Sequence, residues 1–243
     1  MAKKKKKGKK AKHVFYQDPA KKHKPGCLTS HETKYKDGDA CSYRWQGVKK
    51  AEANSGPYNR HKKLYAHIGG EGHATKGFAK LFSQGIGNFH NGYMPYANQV
   101  HHVLPKATLK DAVEKSVKDA AQIATVRDGL LHQDYNINYI ENMLILAVKW
   151  RDACQIGLPT HCGDHPTYSA TIKAKTMKAL QTIAGLVEDG ANHEDPEFEE
   201  LRSDLEAIST TTYKQIVSYG NAAILGTCDS EEISVNDVEL FGV

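Results

Sequence analysis

The longest uninterrupted apolar segment of this chain covers only six residues, at positions 143–148. A helix that crosses a bilayer needs about 18 or more apolar residues, so the sequence predicts no membrane-spanning helix and no membrane partner. A short apolar run bounded by polar residues is typical of a buried strand. Residues 100–104 form a second β-prone run, which ends at Pro105. These two runs predict a small buried sheet.

Helical periodicity dominates the chain after this second run. Apolar residues recur at helical spacing over residues 108–131, 166–186 and 196–219. Thr108 is placed to cap the first of these helices. Residues 13–60 are polar, and there we expect irregular structure with a short hairpin near residues 41–45. Together with the two strands, this pattern predicts an α+β fold.

Charge is distributed unevenly along the chain. The first 80 residues hold 21 Lys/Arg and 6 Asp/Glu, whereas residues 188–243 hold 2 and 14. A low-complexity lysine tail cannot build a core, and it suits contact with a polyanion such as nucleic acid. A charge run alone fits a solubilising tail at least as well. The lysines in question are Lys3, Lys4, Lys5, Lys6, Lys7, Lys9, Lys10 and Lys12.

The five cysteines contain no Cys-x-x-Cys pair, and their number is odd. This pattern predicts no disulfide framework and a reducing compartment. Cys27 and His31 have a zinc-like spacing, but no convincing second pair follows beyond Cys41. The basic N-terminus has no apolar segment behind it, so the sequence predicts no signal peptide.

Three separated segments carry residue types that can do chemistry. Each alone is weak, since an adjacent His pair is often structural and an Asn before a strand is often a turn residue. His161 and His165 are four residues apart, a spacing that on a helix places two imidazoles on one face and suits a metal. Gly163 and Pro166 favour instead a position at the start of a helix. The segments are Gln99-Val100-His101-His102-Val103-Leu104-Pro105, Tyr135-Asn136-Ile137-Asn138 with Glu141-Asn142-Met143-Leu144-Ile145-Leu146, and His161-Cys162-Gly163-Asp164-His165-Pro166-Thr167-Tyr168.

In order and spacing, these segments resemble the ββα-metal nuclease finger of the HNH/endonuclease VII superfamily, and most closely the AHH-type bacterial toxin nucleases. The resemblance spans about residues 97–175, and Val100 stands where a small residue usually precedes the His pair. It implies a ββα-metal finger embedded in a mostly helical domain, with an irregular basic N-terminal region. The expected division is a tail at 1–12, a possible adaptor at 13–96, a nuclease core at 97–190 and an acidic helical extension at 191–243.

The resemblance also assigns roles to the residues of the three segments. It implies a divalent ion (Zn, Mg, Ni or Mn) held by His101, His161 and His165, with His102 as the general base. Asn142 would bond backbone in the loop between the strands and hold the base in place. Asp164 and Tyr168 are possible supporting residues, in that Asp164 would tune a ligand or accept a proton from Tyr168. Helix packing is the favoured role for Tyr168.

The implied activity is metal-dependent endonuclease cleavage of nucleic acid, DNA rather than RNA, with low sequence specificity. The family further implies an antibacterial effector that is made in the bacterial cytoplasm and delivered by a dedicated apparatus such as type VI secretion. A cognate immunity protein and a component of the secretion apparatus would be its partners. Two alternatives stay open: a non-catalytic nucleic-acid-binding protein that works through its lysine tail, and a structural zinc module. The acidic helices would either pack beside the finger or occupy its basic groove as an autoinhibitor.

Overall fold

The computed structural model describes residues 26–29, 32, 35–58, 98–161, 163–238 and 240. Within these ranges the chain is mostly helical with one two-stranded sheet, which confirms the α+β prediction. Among the same residues, no helix combines the length and the apolar character that a membrane span requires. The lysine tail, His31 and Cys162 lie outside the described residues.

The sheet pairs β1, Asn98–His102, with β2, Met143–Ala147, in antiparallel fashion. His101 lies opposite Leu144 in this register. Every residue of β2 is buried, as the apolar run predicts. β1 begins two residues before the predicted run and ends at His102, because the Leu104 N–H is bonded to a side chain and Pro105 has no N–H to offer.

Among the described residues, six α-helices and three shorter helical turns surround the sheet. The helices are α1 (Tyr43–Ala53), α2 (Lys106–Ser116), α3 (Ala120–His132), α4 (Trp150–Ile156), α5 (Pro166–Glu188) and α6 (Glu197–Tyr219). Two 3-10 turns cover Ile140–Asn142 and Val235–Asp237, and a π-helical turn covers Gly220–Ile224. The predicted helices at 166–186 and 196–219 correspond closely to α5 and α6.

Three of the local predictions are wrong. Thr108 does not cap the first helix but lies inside α2, whose N-cap is Pro105. The hairpin expected near residues 41–45 is the start of α1, where the Ser42 hydroxyl caps the helix by accepting a hydrogen bond from the Trp45 N–H at 3.4 Å. The single helix expected over residues 108–131 is divided into α2 and α3. The division is stable because Asp119 caps α3 by accepting from the Gln122 N–H at 2.9 Å.

The core lies between the sheet and the helices, with α5 packed on α2, α3 and α6. Two glycines allow elements to approach closely. A Cβ added to Gly129 of α3 would lie 2.3 Å from the Phe198 ring of α6. A Cβ added to Gly47 of α1 would lie 2.7 Å from Cγ1 of Val100. The room for a valine before the His pair therefore comes from Gly47.

A disulfide joins Cys154 of α4 to Cys228, a pair that the expectation of no disulfide framework and a reducing compartment did not include. Counting cysteines could not reveal this pair, because the two residues are 74 positions apart and approach only in the tertiary structure. Cys27 and Cys41 are buried thiols outside any disulfide. The disulfide anchors residues 227–238, which we call the C-terminal strap.

The C-terminal strap contacts the segment that leads into α5. The Thr160 N–H donates to the Ile233 carbonyl at 2.9 Å, and the Val235 N–H donates to the Thr160 carbonyl at the same distance. Asn236 Oδ1 accepts from the N–H groups of Thr167, at 2.9 Å, and of Tyr168, at 3.3 Å. The strap therefore caps α5 next to the histidines of the third segment.

Candidate metal centre and active site

Three histidines from separate elements converge at one point. His101 comes from β1, His161 from the loop before α5, and His165 from the position that precedes the first residue of α5. The ring centroid of His101 lies 4.9 Å from that of His161 and 4.9 Å from that of His165. One ligand nitrogen from each residue lies within 4.8 Å of the other two. The structure thus brings together the three residues that the resemblance assigned to a metal.

The spacing of the ring nitrogens suits a tetrahedral ion. Nε2 of His161 lies 3.3 Å from Nε2 of His165. Two ligands at about 2.0–2.1 Å from a tetrahedral zinc are about 3.3–3.4 Å apart. His165 Nδ1 lies 3.2 Å from the Ser169 hydroxyl, so this nitrogen can carry the proton and leave Nε2 as a lone pair. Buried His101 Nε2 has no hydrogen-bond partner among the described residues.

The electrostatics of the cluster favour neutral imidazoles, the form that binds metals. Burial lowers the pKa of His101 well below its usual value, and nearby His161 and His165 lower it further. Burial, followed by the charge of His165, lowers the pKa of His161 to about 4. Burial also lowers the pKa of His165. At neutral pH all three rings therefore present lone pairs.

Local structure explains how the second and third ligands are placed. The His161 N–H donates to the Ala147 carbonyl at 2.8 Å, which fixes this loop to the end of β2. Pro166 occupies the first helical position of α5, where its fixed φ suits the start of a helix. His161 and His165 consequently flank a turn between a strand end and a helix start.

Tyr168 packs against the cluster rather than acting on Asp164. Its ring lies 5.4 Å from that of His101 and is 1% exposed. Its hydroxyl donates to the Val103 carbonyl at 2.5 Å, which corrects the alternative of proton transfer to Asp164. Asp164 is exposed, and its charge acts on His165 only by raising the pKa of that ring against the larger effect of burial. Tyr168 therefore joins α5 to the end of β1.

Asn142 is buried and satisfies backbone groups on both sides of its loop. Its Oδ1 accepts from the Leu104 N–H at 2.5 Å and from the Ser209 hydroxyl at 3.0 Å. Its Nδ2 donates to the Leu104 carbonyl at 3.0 Å and to the Ile137 carbonyl at 2.8 Å. The residue therefore connects the chain after β1 to the chain before β2, and α6 completes the network.

The amide that contacts His102 belongs to a different residue. His102 Nε2 lies 3.0 Å from Oδ1 of Asn138, and the Tyr43 ring lies 5.4 Å from the His102 ring. Burial lowers the pKa of His102, Asn138 raises it, and the charge of Lys106 lowers it. Sequence reasoning gave Asn138 no role. The two residues are 36 positions apart, and no periodic pattern reports such a contact.

Comparison with known proteins agrees with the geometry. The model of a family described as "AHH: A nuclease family of the HNH/ENDO VII superfamily with conserved AHH" matches residues 84–205, half of the chain. The matched region contains all four histidines of the site. No curated protein and no solved structure matches the chain. The chain belongs to the AHH nuclease family of the HNH/ENDO VII superfamily.

Proposed function

We propose that this protein is a metal-dependent endonuclease in which His101, His161 and His165 hold one divalent ion and His102 is the general base. The observation that carries the proposal is the convergence of three neutral imidazoles whose ligand nitrogens lie within 4.8 Å of one another, with the His161–His165 pair at the spacing of two ligands on a tetrahedral ion. When bound, the ion supplies Lewis-acid stabilisation to the phosphate and to the leaving oxygen. Three imidazole ligands favour Zn or Ni over Mg, which prefers oxygen ligands.

His102 performs the proton transfer in this proposal. The oxygen of water forms a bond to phosphorus, and the proton of that water passes to His102. The bond from phosphorus to the 3′ oxygen breaks, its electron pair stays on the 3′ oxygen, and that oxygen takes a proton from solvent water. Asn142 acts at a distance from this step, because its four hydrogen bonds hold the loop ends that frame β1 and β2. Its proposed role is to keep the His pair in register with the third segment.

The substrate and the biological setting are also proposals. DNA as the substrate, a toxin role, delivery through a secretion apparatus and a cognate immunity protein rest on the family resemblance. The Cys154–Cys228 disulfide supports export from the cytoplasm of the producing cell, because disulfides persist mainly in oxidising compartments. The lysine tail would add phosphate contacts without sequence preference, and binding would weaken steeply with salt. Residues 97–190 remain the proposed extent of the nuclease core.

The test uses the purified full chain, stripped with a chelator and reloaded with Zn, Ni, Mn or Mg. Supercoiled plasmid DNA and a structured RNA are the two substrates. We expect His102→Ala to lose at least about 100-fold in cleavage rate while it still binds metal. We expect His161→Ala to lose the metal-induced rise in melting temperature. His132→Ala is the matched control, since its ring contacts that of His193 and is not part of the three-histidine cluster.

The outcomes separate the competing functions. Cleavage by His102→Ala at the wild-type rate with every metal would overturn the proposal. Metal binding without cleavage of either substrate would indicate a structural metal module instead. Nucleic-acid binding without metal and without cleavage would indicate a binding protein that works through its lysine tail.

A further inference from the structure

Asn138 occupies a buried position between the general base and the N-terminal part of the chain. It lies in the loop between α3 and β2 and is 0% exposed. Its Nδ2 donates to the Thr29 carbonyl at 2.7 Å and lies 3.6 Å from Cys27 Sγ. Its Oδ1 lies 3.0 Å from His102 Nε2. The two ends of one amide therefore face two different parts of the molecule.

The orientation of this amide is determined by its surroundings. A backbone carbonyl only accepts hydrogen bonds, so the NH₂ group of Asn138 must face Thr29 and its oxygen must face His102. An amide oxygen also only accepts, so Nε2 of His102 must carry the hydrogen. In a neutral imidazole the other nitrogen, Nδ1, then holds the only available lone pair.

We propose that Asn138 is the positioning residue of the active site, which holds His102 as the Nε2–H tautomer and makes Nδ1 the atom that accepts the proton of the attacking water. The inference rests on the proposed role of His102 as general base. Asn138 touches neither water nor phosphate in this proposal, and it acts only through the imidazole.

The loop that carries Asn138 is itself held by the N-terminal part of the chain. The Ile137 N–H donates to the Cys27 carbonyl at 2.8 Å, and the Cys27 N–H donates to the Tyr135 carbonyl at 2.9 Å. The Asn138 N–H donates to Asn136 Oδ1 at 2.9 Å. This paired backbone fixes the amide in position as well as in orientation.

A consequence is that the catalytic base depends on residues outside the region that the family model matches. Cys27 and Thr29 precede residue 84, where the match begins. Tyr58 makes a similar contribution, since its hydroxyl donates to the Ile145 carbonyl at 3.1 Å in the middle of β2. The described residues of the N-terminal region are therefore part of the packed structure of the nuclease core.

The first experiment reads the tautomer directly in the wild-type protein. The full chain is labelled with ¹⁵N-histidine, loaded with zinc, and studied by two-bond ¹H–¹⁵N correlation spectra. The His102 signals are those absent from the spectrum of His102→Ala. We expect the pattern of an Nε2–H imidazole. An Nδ1–H pattern in the wild type would overturn the proposal without any variant of Asn138.

The second experiment separates positioning from stability. We expect Asn138→Ala to lower kcat at least 10-fold with KM for plasmid DNA within twofold, and to give a mixture of His102 tautomers. Asn138→Asp keeps an acceptor for His102, so it should recover most of kcat and the single tautomer even though it is less stable. Leu180→Ala is the matched control for stability, because Leu180 is buried in α5 about 22 Å along the helix from His165.

The results distinguish this proposal from the function on which it rests. An active His102→Ala would remove the proposed base, whatever Asn138 does. An inactive His102→Ala together with a fully active Asn138→Ala would leave the nuclease proposal standing and overturn the positioning role. Equal losses of kcat in Asn138→Ala and Leu180→Ala, with no change of tautomer, would reduce Asn138 to a structural residue.

Discussion

The most informative test of the fold around the site is the replacement of Asn142. Its side chain makes four hydrogen bonds in a buried position, two as acceptor and two as donor. Asn142→Ala removes all four. Asn142→Asp keeps nearly the same shape but places a second oxygen where Nδ2 faces the carbonyls of Leu104 and Ile137. Ser209→Ala is the matched control, because it removes only one bond to Asn142.

The magnitudes follow from the groups that lose a partner. Asn142→Ala removes the partner of three backbone groups. These groups are the Leu104 N–H, the Leu104 carbonyl and the Ile137 carbonyl. Each such buried group costs about 1–3 kcal/mol. Losses within one network are not additive, so we expect the free energy of unfolding to fall by about 4 kcal/mol. Ser209→Ala should cost about 1 kcal/mol, since Ser209 makes a single neutral bond to the amide.

Asn142→Asp should be at least as destabilising as Asn142→Ala. The carboxylate still accepts from the Leu104 N–H, but its second oxygen faces two carbonyl oxygens and cannot donate to them. It also places a charge in a buried position, which adds a desolvation cost. The amide geometry therefore predicts that the isosteric change is no milder than truncation.

The assay is equilibrium unfolding in urea with a chelator present, so that metal binding does not contribute to the measured stability. The expected order of midpoints is wild type, Ser209→Ala, Asn142→Ala and Asn142→Asp, from highest to lowest. The reasoning is refuted if Asn142→Asp unfolds with the wild-type midpoint. It is also refuted if Ser209→Ala and Asn142→Ala lose stability equally.

Three further predictions test other parts of the fold. Replacing Cys154 and Cys228 by serine opens a loop with a sequence separation of 74, which should lower the free energy of unfolding in urea by about 4 kcal/mol. This prediction would be contradicted if a reductant did not destabilise the wild-type protein. Asn236→Ala should lower the free energy of unfolding, measured in urea, by about 1 kcal/mol through loss of the α5 cap, and an unchanged stability would argue against that cap. In thermal unfolding, Gly129→Ala should destabilise the protein by about 1–3 kcal/mol, because the added methyl group would overpack against the Phe198 ring of α6. Gly185→Ala would meet nothing within 4 Å and should stabilise α5 by up to about 1 kcal/mol. Changes of stability with the same sign in both variants would refute the packing argument.

Sequence reasoning was strongest where the chemistry is carried by spacing along the chain. The four-residue separation of His161 and His165 indicates a pair of imidazole ligands. The structure realises the pair in the turn before α5, with His161 in the loop and His165 at the N-cap, and not on one helical face. Their approach to His101 follows from the family resemblance rather than from periodicity, and the structure brings the three together. The contact between Asn138 and His102 escaped prediction because it joins two loops whose proximity only the tertiary fold creates.

The sequence predicted the extent of α5 and α6 well, but it missed the break between α2 and α3 and did not predict α1 or α4 as helices. Apolar periodicity continues across Val117–Asp119, because α2 and α3 both bury their apolar faces in the same core. α1 carries little periodic signal, since polar side chains such as Arg44 and Gln46 are among its buried residues. The aromatic residues Tyr43 and Trp45 near its start favoured a hairpin instead. The core around the sheet, and not local propensity, selects the helix there.

The long-range construction of the site has a consequence for folding. Thr29 bonds Asn138 across 109 positions, and the strap carbonyl of Ile233 bonds Thr160 across 73. Contacts that close long loops form slowly, whereas a local pair such as α5 and α6 can associate early. A half-folded chain would therefore contain most of its helices while His102 and the segment before α5 are still unanchored. We expect nuclease activity to be among the last properties to emerge during refolding, so that incompletely folded copies leave nucleic acid intact.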